Sequence, residues 1–193
     1  MKPNFNRERR DLLKSTCAIA GAAAVVSVTG SLPAFAAAQA KGVPEIGDVF
    51  VLTDGPNRGN IVSVADMVLD APPITVQAKD PKGAVREDDN STVLLYRVAN
   101  EKIPSDLKPD TVNGIMAYSA VCTHLGCMLS SWDAPTKQFL CPCHDALFDP
   151  LKNGANTGGA TARTLPHIPI KADGAKIVVS GVPSGYVGVK KAT

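Results

Sequence analysis

The sequence predicts an all-β domain of antiparallel strands, and three observations carry that expectation. Apolar residues make up 45% of the chain while Gly (16) and Pro (15) are plentiful, a balance that suits a turn-rich β protein better than a helical bundle. From about Gly47 onwards, short runs rich in β-branched and aromatic residues recur, each bounded by turn formers. No heptad or long amphipathic helical pattern is present. At 193 residues the chain can bury one substantial core, and it is too short for two domains unless one is very small.

Taken in order, strands are expected at "VFVLT" (49–53), "NIVSV" (60–64), "ITVQA" (74–78), "TVLLYRV" (92–98) and "IMAYSAV" (115–121). Further strands are expected at "QFLC" (138–141), "HIPI" (167–170), "KIVVSG" (176–181) and "YVGV" (186–189). The punctuation between them is "TDGPNRG", "DPKG", "PSDLKPDTVNG" and "KADGAK", all strong turn formers. "SVADMVLD" (63–70) has the spacing of one short helix. The polar, Pro-rich stretches 79–91 and 100–114 are expected to be solvated surface loops, the alternative being loops that dock a partner.

The first forty residues follow a different regime. "RERRDLLK" is a basic start, and an uncharged run rich in Ala, Gly, Ser and Val extends from Cys17 to Ala38. "PAFAAAQA" then offers small residues, Ala34 and Ala36, where a signal peptidase requires them, so residues 1–38 read as a cleaved export signal. Arg9 and Arg10, followed by Asp11, Leu12, Leu13 and Lys14, resemble the twin-arginine signal, with Leu12 where Phe is common. That route exports folded proteins to the periplasm. A general secretory signal and a retained membrane anchor are the alternatives. The run is long enough to span a bilayer, but Gly21, Gly30, Pro33 and its Ala content make it a weak membrane helix. Residues 39–193 are then the mature domain.

Composition excludes several functions. The formal charge is +2 with acidic and basic residues mixed, there is no basic stripe, and aromatics are 5%, so no nucleic-acid surface is expected. No Ser–His–Asp set, paired carboxylates or phosphate-cradling Gly loop can be assembled, so the chain is not expected to be catalytic alone.

The chemistry lies in two motifs. "CTHLGC" (122–127) and "CPCH" (141–144) hold Cys122, His124, Cys127, Cys141, Cys143 and His144, in a chain with only five cysteines and three histidines. Each is short enough to chelate from a tight loop closing a hairpin. Two thiolates and two imidazoles suit either zinc or a [2Fe–2S] cluster, although the order is not that of a zinc finger, where paired cysteines precede paired histidines. An exported chain also sits where a disulfide persists, which permits a split into ligands and one disulfide.

C-x-H followed, after sixteen intervening residues, by C-x-x-H resembles the signature of Rieske iron–sulfur proteins. The resemblance implies an antiparallel Rieske-type β-sandwich or barrel with a small cluster-binding subdomain of two loops, at about 117–166. It implies that Cys122 and Cys141 hold the inner iron of a [2Fe–2S] cluster and that His124 and His144 hold the outer one. Cys127 and Cys143 match the family's extra pair, a disulfide tying the two loops, carried by respiratory and periplasmic Rieske proteins and lacking in ferredoxins and oxygenases. Neutral imidazoles in place of thiolates raise the potential into the range of roughly −150 to +300 mV, and oxidation would favour loss of an imidazole proton.

Two departures refine the reading. Quinol-oxidising cytochrome bc complexes commonly continue the second motif as "CHGSxYD", with Ser and Tyr hydroxyls that raise the potential; here "CHDALFD" puts Asp145, Ala146 and Phe148 at the Gly, Ser and Tyr positions. The segment covering the cluster is "GGATARTLPHIPI" (158–170), which is similar to the small subunit of arsenite oxidase, as are "GIMAYSAVCTHLGC", the "FDP" after the second motif, the length and the twin-arginine signal. The resemblance implies the electron-transfer subunit of a periplasmic oxidoreductase. Its partners would be a large molybdopterin subunit as donor and cytochrome c or a cupredoxin as acceptor. A membrane quinol:cytochrome c oxidoreductase subunit is the alternative. His167 is expected to be a surface histidine and Trp132 a packing residue. Arg163, Lys137 and Lys152 are expected to be solvating charges, with a docking rim as the alternative.

Overall fold

The computed structural model describes residues 39–190; Arg9, Arg10 and the rest of the expected export signal lie outside the described residues. Among the described residues ten strands are present: β1 (Val49–Leu52), β2 (Ile74–Lys79), β3 (Thr92–Arg97), β4 (Ile115–Ser119), β5 (Ser131–Asp133), β6 (Gln138–Cys141), β7 (Ala146–Asp149), β8 (Ala155–Gly158), β9 (Ile170–Asp173) and β10 (Lys176–Val179). They form a six-stranded sheet in the order β4-β3-β2-β1-β10-β9 and a four-stranded sheet in the order β5-β6-β7-β8. Every adjacent pair is antiparallel, as the sequence predicts. Among the described residues there is no α-helix, only single 3₁₀ turns.

The runs "TVLLY" and "IMAYS" are apolar at nearly every position because β3 and β4 are buried on both faces. Successive side chains of a strand point to opposite sides. Val93, Leu95, Ile115 and Ala117 therefore join one core, with Phe50, Val76, Ile168, Ile170 and Val179. Leu94, Tyr96, Met116 and Tyr118 join another, with Phe139, Phe148, Leu129 and Leu165 around the smaller sheet. Each such fully buried large side chain contributes about 1.5–3 kcal/mol relative to exposure. The two strands are thus the wall shared by both sheets.

Four expected elements differ. Of "HIPI" (167–170) only Ile170 lies in a strand, as the first residue of β9, while His167 makes an isolated bridge to Tyr118, because Pro166 and Pro169 have no N–H to give a ladder. No helix forms at 63–70: a single 3₁₀ turn covers Val64–Asp66. Only Met67 of that stretch is buried, Val68 and Leu69 face outward, and Asp70 is left-handed (φ 55°), so no continuous apolar helix face exists. Residues 60–64 form isolated bridges, Val51↔Ile61 and Ser63↔Lys176, in place of a strand. β1 pairs with β10 at Val49↔Val178, and this segment replaces β10 as its neighbour farther along. Residues 186–189 are also no strand, because Arg163 rather than a neighbouring strand binds the carbonyls of Tyr186 and Gly188.

The first polar excursion is more than a solvated loop. Arg86 forks onto Asp48, whose side chain is fully buried, through Nε–Oδ2 at 2.6 Å and Nη2–Oδ1 at 3.1 Å. Asp48 also holds the guanidinium pKa above its ordinary value. The loop is pinned to the start of β1 by a charge pair that would leave an uncompensated buried carboxylate if broken.

Candidate metal centre

The second motif closes a true hairpin. β6 and β7 pair through Phe139↔Phe148, Leu140↔Leu147 and Cys141↔Ala146, which leaves Pro142 to Asp145 as the turn. Asp145 is left-handed (φ 54°), at the position the Rieske resemblance gives to Gly. A short polar side chain tolerates that conformation better than most. The first motif follows β4 and is closed by the isolated bridge Val121↔Met128, with Cys122 N–H donating to the Cys127 carbonyl at 2.8 Å and Gly126 N–H to that of Cys122 at 3.0 Å.

These two turns meet. Cys127 and Cys143 form a disulfide across them, with the Cα atoms 6.6 Å apart. Cys122 and Cys141 are free and buried, and lie within reach of each other. The Sγ of Cys141 is also within 4.8 Å of the disulfide sulfurs, but those two are already bonded to each other, so this trio is no ligand set. The rings of His124 and His144 stand edge-to-face, 4.7 Å between centroids. His144 is exposed and His124 half-buried, so the cysteines form the inner end of the site and the histidines the outer.

The donor set fits a [2Fe–2S] group. His124 Nδ1 is buried and has no hydrogen-bond partner, a state that costs free energy unless something binds that nitrogen. Burial pushes the Cys122 thiol up to about 11, helped by the neighbouring Cys141 thiol and opposed by backbone N–H groups of the loop. The protein alone therefore disfavours the thiolate, and a bound cation would reverse this.

The residues after the second motif sit where tuning would act. Ala146 is fully buried beside Cys141, and Phe148 is fully buried in the core against the smaller sheet, whereas Asp145 is exposed. No side-chain hydroxyl is offered at 146 or 148. The segment 158–165 closes over both turns. A Cβ on Gly159 (φ 83°) would overlap the backbone of Asp145 and Ala146, so only Gly permits this approach. From the other side Thr123 donates to the Arg163 carbonyl (3.1 Å) and lies 3.3 Å from Thr161 Oγ1. Thr123 and Gly159 were not singled out by the motifs, although Thr123 lies inside one of them.

Other sequence-flagged residues lie elsewhere. His167 is buried, correcting the expectation of a surface residue: its Nδ1 is 2.8 Å from Asn153 Oδ1 and its Nε2 2.8 Å from Asp110 Oδ2. It ties the second excursion to the β7–β8 turn. Trp132 packs on Tyr96 (5.0 Å) and Phe139 (5.7 Å), as expected of a packing residue. Lys137 pairs with Asp70 at 3.4 Å and Lys152 with Asp149 at 3.2 Å, and Arg163 is engaged with backbone, so the three form no free basic rim.

Comparison with known proteins agrees. Residues 66–169 match the model of the Rieske [2Fe-2S] domain, more than half of the chain. A Haloferax mediterranei protein provisionally named the Rieske subunit of a respiratory nitrate reductase is 31% identical over 184 residues, covering 93% of this chain and 80% of its own length. The cytochrome bc1 complex Rieske iron-sulfur subunit of Corynebacterium diphtheriae is 41% identical over 88 residues, which is 43% of this chain and only 22% of that protein. Among solved structures, the soluble domain of Rieske protein II from Sulfolobus acidocaldarius is 22% identical, with 53% of this chain and 68% of that one covered at a TM-score of 0.39. With its paired turns, its two buried cysteines and two outward histidines, and a domain match spanning both motifs, this chain belongs to the Rieske [2Fe–2S] family of electron-transfer proteins.

Proposed function

We propose that this Rieske protein is the electron-transfer subunit of a periplasmic oxidoreductase that acts on an oxyanion. Its catalytic partner would be a separate molybdenum-containing subunit of the arsenite oxidase type, and its redox exchange partner a cytochrome c or a cupredoxin. One observation carries this reading: the likeness to the Haloferax nitrate reductase Rieske subunit runs through 93% of the chain, whereas likeness to the cytochrome bc1 subunit stops at 43%. Nitrate and arsenite are both oxyanion chemistries. The absence of hydroxyls at Ala146 and Phe148 supports it, since those positions raise the potential in quinol-oxidising complexes.

Within that reading the cluster-binding subdomain is about 117–166, Cys122 and Cys141 hold one iron, and His124 and His144 hold the other. Bound in this way, the cluster would supply one-electron transfer at a potential above that of all-cysteine clusters. The chain's own residues do the rest. Burial of Cys122 and Cys141 keeps water from the inner end of the site, and the Cys127–Cys143 disulfide holds the two turns in register. Exposed His144 and Leu125, the latter 62% exposed, present an imidazole edge and an apolar contact to a redox partner. Arg9 and Arg10 direct export by the twin-arginine route, and the signal is removed near Ala36.

The alternative is the Rieske subunit of a membrane quinol:cytochrome c oxidoreductase, favoured by the bc1 likeness across the motif region. Purification of the native protein from the periplasmic fraction without detergent, with identification of its N-terminus and of co-purifying chains, separates the two. A chain beginning near Ala37 with a large molybdenum subunit attached supports the oxidoreductase. A chain retaining residues 1–38, found only in membranes with a cytochrome b, overturns it.

A further inference from the structure

We infer that Arg163 is a positioning residue for the redox centre, acting by clamping the segment 185–189 to the covering segment 158–165. The inference rests on the ligand reading above. Arg163 Nη1 donates to the Gly188 carbonyl at 2.9 Å and Nη2 to the Tyr186 carbonyl at 2.7 Å, so one rigid fork spans two alternate carbonyls. The backbone of the same residue accepts from Thr123 Oγ1 at 3.1 Å, one position from each of Cys122 and His124. A single residue therefore links the first motif to the covering segment and that segment to 185–189.

The far end of the clamp is itself anchored. Val187 is fully buried in one small apolar cluster with Val43 and Val121, against which Met128 packs, and Val121 and Met128 bracket the first motif. Gln39 holds the segment from the other side, donating to the Gly185 carbonyl at 3.1 Å. A Cβ on Gly126 would sit 3.4 Å from Val189 Cγ2, so Val189 lies over the turn of the first motif. Hydrogen bonds from a guanidinium to partly buried carbonyls exceed ordinary ones, and neither Gln nor Lys reproduces a two-carbonyl fork. Loosening the clamp frees the cover without touching a ligand.

Sign discriminates this role from simple proximity of a positive charge. Two ferric ions, two sulfides and two thiolates sum to zero with neutral imidazoles, and reduction adds one negative charge. Water admitted by a looser cover favours the charged, reduced form and raises the midpoint potential, whereas losing a nearby positive charge lowers it. The test compares the holoprotein with Arg163→Gln and Arg163→Lys, measuring midpoint potential, electron paramagnetic resonance and amide exchange of 158–165 and 185–190. The clamp predicts that both variants move the midpoint upward and exchange at least about tenfold faster in both segments. A lowered midpoint in Arg163→Gln with a wild-type value in Arg163→Lys would overturn it, as would unchanged midpoints in both. Val187→Ala, which loosens the same segment with Arg163 intact, must shift the midpoint in the same direction, and its failure to do so also counts against the clamp. A wild-type protein lacking a Rieske spectrum would refute the ligand reading, while the exchange comparison still decides whether Arg163 holds the two segments together.

Discussion

The two sheets are built by different rules. The larger one has strands of four to six residues with regular registers, and its core is aliphatic apart from Phe50 and Met67: Val62, Val76, Val93, Leu95, Ile115, Ile170, Ile177 and Val179. The smaller has strands of three or four residues, a register shift between Leu147 and Phe148, and left-handed residues at Lys137, Asp145 and Asn153 in its turns. Its core is centred on an aromatic cluster and is partly borrowed: Phe139 packs on Tyr118 (5.5 Å) and Tyr96 (6.4 Å), which belong to the larger sheet. The larger sheet is held by its own side chains, and the smaller by that wall, a disulfide and, in the holoprotein, the cluster. A site that must present ligands from two turns tolerates irregularity because stability is supplied next door.

The sharpest way to break this contrast is at the ligands. Cys122→Ser or Cys141→Ser is expected to abolish the visible and paramagnetic signals of the cluster while circular dichroism still reports the larger sheet; a retained cluster would remove these residues from the ligand set. Next come the cores. Phe50→Ala and Phe139→Ala should each cost about 3–5 kcal/mol by denaturant unfolding, but only Phe139→Ala should also speed cluster loss to a chelator. Equal cluster retention in the two would show that the sheets are not separable in this way.

The disulfide comes third. It closes a sequence separation of 16 residues, for which the chain-entropy account gives about 3 kcal/mol. Cys127→Ala with Cys143→Ala is expected to lower the stability of the smaller sheet by that order and leave exchange in β1, β2 and β10 unchanged. Smaller still is Ala146→Ser: a hydroxyl beside Cys141 should raise the midpoint by about 60 mV if its hydrogen bond is worth about 1.4 kcal/mol to the reduced form. A midpoint that does not rise in a redox titration would remove position 146 from the set that tunes the centre.

The smallest effect lies at the larger sheet's edge. Backbone and hydroxyl donation from Ser63, each at 2.7 Å, holds the Asp66 carboxyl below its ordinary value of 3.8. A folded-state pKa that is depressed gives stability present above the unfolded value and lost as pH falls through the folded one. Asp66→Ala should therefore cost less than about 1 kcal/mol at pH 7, given its exposure. The difference from wild type should vanish in thermal melts taken below the ordinary carboxylate range.

How much was legible follows the same divide. Six of the nine predicted strands in "VFVLT", "ITVQA", "TVLLYRV", "IMAYSAV", "QFLC" and "KIVVSG" are strands, because buried β-branched runs bounded by turn residues are local signals. β5, β7, β8 and all of β9 beyond Ile170 were not read, since "SWD", "ALFD", "ANTG" and "IKAD" are short and half polar, and only their neighbours make them strands. The two motifs were legible because Cys and His at that spacing have few chemical uses, and the structure brings their turns together. The burial of His167 was not: its partners Asp110 and Asn153 lie 57 and 14 residues away in sequence.

From sequence alone came the antiparallel class, the two motifs and the chemistry their thiols and imidazoles allow, since composition, periodicity and ligand spacing are carried by neighbouring residues. The tertiary structure alone decided that His167 is buried between Asp110 and Asn153, that Arg86 reaches buried Asp48, and that Arg163 reaches the carbonyls of Tyr186 and Gly188. Those facts depend on contacts between segments far apart in the chain, and no local pattern encodes a distance between turns that only the packed wall of β3 and β4 brings together.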